Sequence, residues 1–324
     1  MPQQRSNVVM ITPRHRLRRA LEYSVRVNQT VAERQAKARS KAGRTDPTRT
    51  ALVRRQFEAE LTRRFEDLAR AIREVIVEQN GFGEIKSTEE LVTNQGKFDF
   101  PRSQDKVAAF MKWLRQQQSK DILGITEGVP IESAASKAWT NLYIDSAYQR
   151  GIRQAGARLR QAGARVEDRW IDSAFNRPIH ADRLGLIYTR TFSELEGITR
   201  TMDGRISRVL SLGMAEGKSP RQLARDITEE VGLSLRRAQV IARTEVVSAH
   251  AEATLNAYTE AGVKGVTIEA ELSTTGDALV CPEREALEGR EFPIEEARNL
   301  IPVHPNCRCA WVPAIKDVRG VELR

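Results

Sequence analysis

Between Leu184 and Gly262 apolar residues recur at steps of three and four, a period that is buried only when helices pack on other helices. Leu195, Ile198, Met202, Ile206, Val209 and Leu210 share one stripe, and Gly213 and Gly217 are expected to close that helix. Ser219-Pro220-Arg221-Gln222 reads as a fresh start, with Ser219 as N-cap, Pro220 in the first turn and Gln222 at the reciprocal capping position. A helix to about Val231, ended by Gly232, is predicted, then another capped by Ser234 from Leu235 to Ala261. Ala238, Ala242, Ala249, Ala253 and Ala257 leave that last helix a thin surface for close packing, and Gly262 is its stop.

The same period appears earlier. Phe57, Leu61, Phe65, Leu68, Ile72 and Val75/Ile76 predict a helix that ends at Asn80-Gly81, and Val107, Phe110 and Trp113/Leu114 predict another near 104–117. An Ala-rich segment from Pro130 to about Ala162 carries Gly151 and Gly156, which weaken a helix or let a neighbour approach closely. Beyond Gly262 the period drops to two: a strand over Val266–Ala270, a second over Glu291–Ile294, a short helix over Glu295–Leu300 and a last strand over Cys307–Val312 are expected. The fold class is therefore mainly α, a helical body followed by a small C-terminal α+β unit, with no internal repeat. The expected organisation is a basic arm over 1–50, a helical region over 51–183, and a unit over 184–324 that is helical over 184–262 and α+β over 263–324.

Charge separates the arm from the rest. Residues 1–55 hold fourteen Lys or Arg against three acids, a net of +11, whereas the remaining residues come to −2. Arg14, Arg16, Arg18, Arg19, Arg34, Lys37, Arg39, Lys41 and Arg44, with Tyr23 the lone aromatic, suit a sequence-blind, salt-sensitive contact to phosphate backbones; a solvated tail that aids solubility is the plainer alternative. No apolar run approaches the ~18 residues of a membrane span and the start lacks a signal peptide's apolar core, so neither secretion nor membrane insertion is expected. Three cysteines form no disulfide framework, which points to a reducing compartment during folding.

Those cysteines cluster. Cys281, His304, Cys307 and Cys309 supply thiolate and imidazole, the ligands zinc prefers, although Arg284 stands where a short knuckle would place a second cysteine. Two other readings stay open: small buried residues with His304 hydrogen-bonded in a loop, or a redox or disulfide role. Cys281 with His304 also meets the minimum for thiol catalysis, but no oxyanion-hole glycine run accompanies it. Phosphate loops, His-Glu-x-x-His and paired carboxylates with metal spacing are absent from the sequence. His180 and His250 are expected to play polar surface roles. Arg243 and Glu245, two apart on a helix, do not face each other and are expected to reach the C-terminal unit, for instance Asp277 or Arg308.

Taken in order, Glu216-Gly217-Lys218-Ser219-Pro220, Ile241-Ala242-Arg243-Thr244-Glu245, Gly276-Asp277 with Cys281-Pro282, Leu287-Glu288-Gly289-Arg290-Glu291-Phe292 and His304-Pro305-Asn306-Cys307-Arg308-Cys309 resemble the phage head morphogenesis family typified by the F protein of phage Mu. The likeness covers about residues 185–315. It implies a minor capsid protein of a tailed bacteriophage or prophage, made in the host cytoplasm and housed in the virion. The implied partners are the portal protein, a major capsid or scaffold protein and phage DNA, with no membrane and no catalysis. Many relatives carry a second cysteine where this chain has Arg284, which weakens a zinc assignment carried from them. A non-viral DNA-binding protein is the alternative from the arm, and a toxin-associated enzyme the alternative from the family's habit of joining toxin domains.

Overall fold

In the computed structural model the described residues are 46–79, 103–125, 134–161, 164–263, 265, 267–276, 280–317 and 322–323. They form helices α1 (Ala51–Arg73), α2 (Ser103–Gln117), α3 (Asn141–Gln161), α4 (Asp168–Asp172), α5 (Pro178–Ala215), α6 (Pro220–Val263), α7 (Pro282–Glu285) and α8 (Ile294–Ala297). The strands are β1 (Arg165–Val166), β2 (Thr267–Ser273), β3 (Glu291–Phe292), β4 (Ala310–Asp317) and β5 (Glu322–Leu323). The architecture is mostly helical with a small antiparallel sheet near the C-terminus, as the two periodicities dictate. Helix α1 runs on into a π-helical turn over Glu74–Glu78, and α2 into another over Gln118–Leu123.

The stripes named by the sequence bury as expected. Phe57, Leu61, Phe65, Leu68 and Ile72 of α1 meet Ile144, Tyr148 and Ile152 of α3, Leu195, Ile198, Met202, Ile206 and Leu210 of α5, and the alanines of α6 in one core. That core runs across residue 183. Helix α6 is its axis: Ala238, Ala242, Ala249 and Ala253 are buried, and their small side chains let α1, α3 and α5 lie close around one helix. At Gly151 of α3 the approach leaves no room for a side chain, since an added Cβ would lie 2.6 Å from the His250 carbonyl oxygen and 2.7 Å from the Ala253 Cβ.

Two expected helix ends are corrected. Helix α6 passes through Gly232 unbroken for 44 residues, and Ser234 is no cap; its hydroxyl donates to the Glu230 carbonyl oxygen at 2.9 Å within the helix. A mid-helix glycine costs about 1 kcal/mol, less than continuous burial of Val231, Ala238 and Ala242 returns. Gly213 also lies inside its helix, where a Cβ would sit 2.4 Å from Leu223 Cδ2. Gly217 is the real stop of α5: at φ +70° it turns the chain so that the Lys218 N–H reaches the Gly213 carbonyl at 2.8 Å and its own N–H the Met214 carbonyl at 3.2 Å. The capping box follows as expected, with the Ser219 N–H donating to Gln222 Oε1 at 2.9 Å and the Gln222 N–H to Ser219 Oγ at 3.4 Å.

A second core lies on the other flank of α6. Val247, Ala251, Leu255 and Tyr258 pack with Leu159 and Trp170 beneath Ala270, Leu272, Leu287, Ala297, Ile301 and Trp311. The sheet above them has the order β3-β2-β4, antiparallel, with Ala270 opposite Phe292 and Leu272 opposite Trp311. The strand expected from Cys307, β4, begins at Ala310, three residues later, because the chain from Ile301 to Cys309 is an irregular loop that carries the Cys/His motif. Strand β1 pairs in parallel with β5.

Candidate functional site

Residues 241–245 and 304–309 meet at a seam between α6 and the C-terminal unit, whereas residues 216–220 form the turn at the other end of α6, about 35 Å along the helix from Arg243. Arg243, projecting from α6, donates from Nε to Glu58 Oε1 of α1 at 2.6 Å and from Nη1 to Asn306 Oδ1 at 3.2 Å. Thr244 Oγ1 accepts the Asn306 N–H at 3.3 Å. Asn306 holds φ at 63°, a left-handed conformation asparagine tolerates better than most residues. Arg243 thus reaches the C-terminal unit as expected, through Asn306. Glu245 turns the other way: it accepts from Arg190 of α5 at 2.7 Å, and the same guanidinium donates to Ser248 Oγ at 2.7 Å. Burial raises the Glu245 carboxyl's pKa, and Arg190 opposes that shift. The adjacent Arg-Thr-Glu positions therefore tie α6 to three different elements, α1, the C-terminal loop and α5. Asp277 lies outside the described residues, and Arg308 is half-buried in the loop.

The cysteine cluster is organised by a residue the motif reading treated as a departure. Cys281 precedes α7, Pro282 opens that short helix, and Arg284 turns inward until it is 3% exposed. Its Nε lies 3.3 Å from Cys281 Sγ and its Nη1 3.8 Å from Cys309 Sγ. His304 Nδ1 is 2.6 Å from the Pro305 carbonyl oxygen, which can only accept, so Nδ1 carries hydrogen. Nε2, 3.3 Å from Cys281 Sγ, is then the atom that takes the thiol hydrogen bond when the ring is neutral. Cys307 and Cys309 are fully buried and share a hydrogen bond. That bond, joined by backbone N–H groups and the Arg284 charge, lowers Cys307 to about 5, while Cys309, holding the shared proton, is pushed up.

Among the described residues no group of three or more His, Cys, Asp or Glu is placed to hold a metal ion. Cys281, His304, Cys307 and Cys309 do share one neighbourhood, but a guanidinium reaches both Cys281 and Cys309, so a cation of the protein's own already meets two of the sulfurs. What the arrangement does chemically is hold a buried arginine with polarisable sulfur and keep one loop, one short helix and β4 together.

The basic-arm residues Arg14, Arg16, Arg18, Arg19, Arg34, Lys37, Arg39, Lys41 and Arg44 lie outside the described residues. The surface roles expected for His180 and His250 are corrected, for both rings are fully buried. His180 Nδ1 meets the Tyr148 hydroxyl at 2.9 Å and its Nε2 lies 3.4 Å from Glu260. His250 Nε2 meets Gln154 Oε1 at 2.7 Å, and burial, helped by the Arg158 charge, lowers its pKa to about 3. The helical period could have found both, since His180 stands four and seven positions before the buried Leu184 and Ile187, and His250 three and seven before the buried Ala253 and Ala257.

With that geometry in view, comparison adds a family. Residues 204–312, from late α5 to the start of β4, match the family described as phage Mu protein F like protein, and so carry the whole seam and cysteine cluster. The chain is also 34% identical over 125 residues to the NAD(+)--arginine ADP-ribosyltransferase EFV of Enterococcus faecalis, a match taking 35% of this chain and 26% of that protein. The chain thus spans about a quarter of that relative's length. No solved structure matches. Among the described residues no helix is long and apolar enough to cross a membrane.

Proposed function

We propose that this chain is a minor head protein of a tailed bacteriophage or prophage, lodged at the portal or inner shell, with its basic arm on the packaged DNA. The observation that carries the reading is the phage Mu F-like match over 204–312, a head morphogenesis family, falling on the part of the chain that holds the Arg243–Asn306 seam and the cysteine cluster. In this reading the Arg243-Thr244-Asn306 seam and the Arg284 cluster are structural fasteners. They hold the small sheet on α6 as one rigid body for docking. The protein turns nothing over. Its segment over 1–45, with eleven Lys or Arg against two acids, supplies the contact to a polyanion, and the incoming genome is the polyanion at hand in a procapsid.

Mass spectrometry of purified heads tests this directly. The chain should be found in particles at low copy, and deletion of residues 1–45 should leave incorporation intact while weakening salt-sensitive DNA retention. Absence from particles would reject the reading. A second reading is favoured by the likeness to the arginine ADP-ribosyltransferase, namely a module borrowed by an enzyme. It requires NAD+ consumption by the purified chain with an arginine acceptor, which the head-protein reading does not.

A further inference from the structure

The exposed face of α3 forms one wall of a groove enclosing about 480 Å³, whose floor and far rim include Thr48 and Arg49. Arg150 and Arg153 project into it with Arg49, Gln149, Gln154 and Gln161 fill the intervals, and Arg158 adds to the lining while its guanidinium turns to the Trp311 carbonyl. The helical period explains the row: Ser146, Arg150, Arg153 and Ala157 fall on the face opposite Ile144, Ala147, Ile152 and Leu159, which enter the cores. The eight residue steps of helix from Arg150 to Arg158 cover roughly 12 Å.

No acid lines the groove. Among the described residues the four arginines make no ion pair. Arg150 donates only to the Arg49 carbonyl at 3.3 Å, and Arg158 to the Trp311 carbonyl, so their charges stay uncompensated. Asp46, at the rim, is committed to Arg54 at 2.6 Å, and Asp172, which shares a small neighbouring cleft with Arg153, does not pair with it. Ala157 is the single apolar side chain in the lining and no aromatic is present. A protein partner would need apolar or aromatic anchors, and single strands would need aromatic platforms for their bases. Arginine, glutamine and hydroxyl groups around a concave track are instead the groups that contact phosphate oxygens. The covalent order agrees: the basic segment 1–45 joins the body at Asp46, one turn of chain from Arg49.

We infer that this groove, centred on Arg150 and Arg153, binds the phosphate backbone of double-stranded DNA without reading its sequence. It is a site on the folded body, separate from residues 1–45 and independent of where the protein resides. Roughly 12 Å of duplex presents about seven charges at one per 1.7 Å, enough to engage Arg49, Arg150 and Arg153.

The test is a salt titration of full-length chain binding to a short duplex, comparing wild type with the Arg150→Gln/Arg153→Gln variant and with Arg200→Gln/Arg208→Gln, which removes equal charge from exposed positions on α5. Losing two phosphate contacts should reduce the slope of log affinity against log salt by about 1.8, with equal loss on two unrelated duplexes. The α5 variant should keep the wild-type slope. An unchanged slope in the groove variant, an equal drop in both variants, or no duplex binding by the wild type at low salt would each overturn the inference. Because the assay uses purified chain, its outcome is independent of whether the protein enters phage heads, and a variant lacking 1–45 separates the arm's contribution.

Discussion

Acidification should unlock α3 from α6 through one histidine. His250 is buried with Nε2 on Gln154 Oε1, its Nδ1 has no partner among the described residues, and Arg158 and Arg150 add unfavourable charge; together these lower its pKa to about 3 from 6.5. The folded state therefore prefers the neutral ring. An unfolded chain binds the proton near 6.5, so the histidine's stabilising preference is complete above that pH and is lost as pH falls from 6.5 towards 3. At 1.36 kcal/mol per unit, moving from pH 7 to pH 5 should cost about 2 kcal/mol through this group. Other groups titrate over the same interval, so the assay is chemical denaturation at both pH values for wild type and His250→Gln. The variant is expected to be less stable at pH 7, having lost a fitted ring, but to lose about 2 kcal/mol less than wild type on acidification. Equal losses in the two proteins would refute the account of His250 as a buried neutral ring.

Gly151→Ala should be destabilising by about 1–3 kcal/mol, because its Cβ would strike backbone of α6, whereas Gly197→Ala or Gly204→Ala, with nothing within 4 Å, should gain up to about 1 kcal/mol in thermal or denaturant melts. Asn306→Gly should be milder than Asn306→Ala, since both lose the Arg243 contact but only alanine also strains the left-handed backbone; the reverse order in denaturation midpoints would count against that reading. Thiolate absorbance against pH should find Cys307 titrating near 5, rising most in Cys309→Ala and less in Arg284→Met, because the Cys309 hydrogen bond outweighs the arginine's charge. The opposite ranking would assign control of that thiol to Arg284.

Helix α1, the stripe of α5 and the capping box at Ser219 were legible because local rules decide them: a 3.6-residue period fixes which side chains share a face, and an unpaired N–H needs a nearby acceptor. Gly232 was misleading for the complementary reason. Its local cost is real, but burial of α6 on three helices exceeds it, and a single sequence does not display what packs around a helix. The cysteine cluster was visible as residue types at suggestive spacing, and its meaning was not, for Arg284 joins the sulfurs only through the turn of α7.

The amino-acid order on its own determined the helical body, the switch to strands after Gly262, the cationic leader and the family-like motifs, all of which depend on neighbours within a few positions or on composition. Tertiary structure alone decided that Arg243 serves α1 and the C-terminal loop while Glu245 serves α5, and that Arg49 meets Arg150 and Arg153 around one groove. Those outcomes depend on which distant segments share space, and burial and charge act through distance in space rather than along the chain.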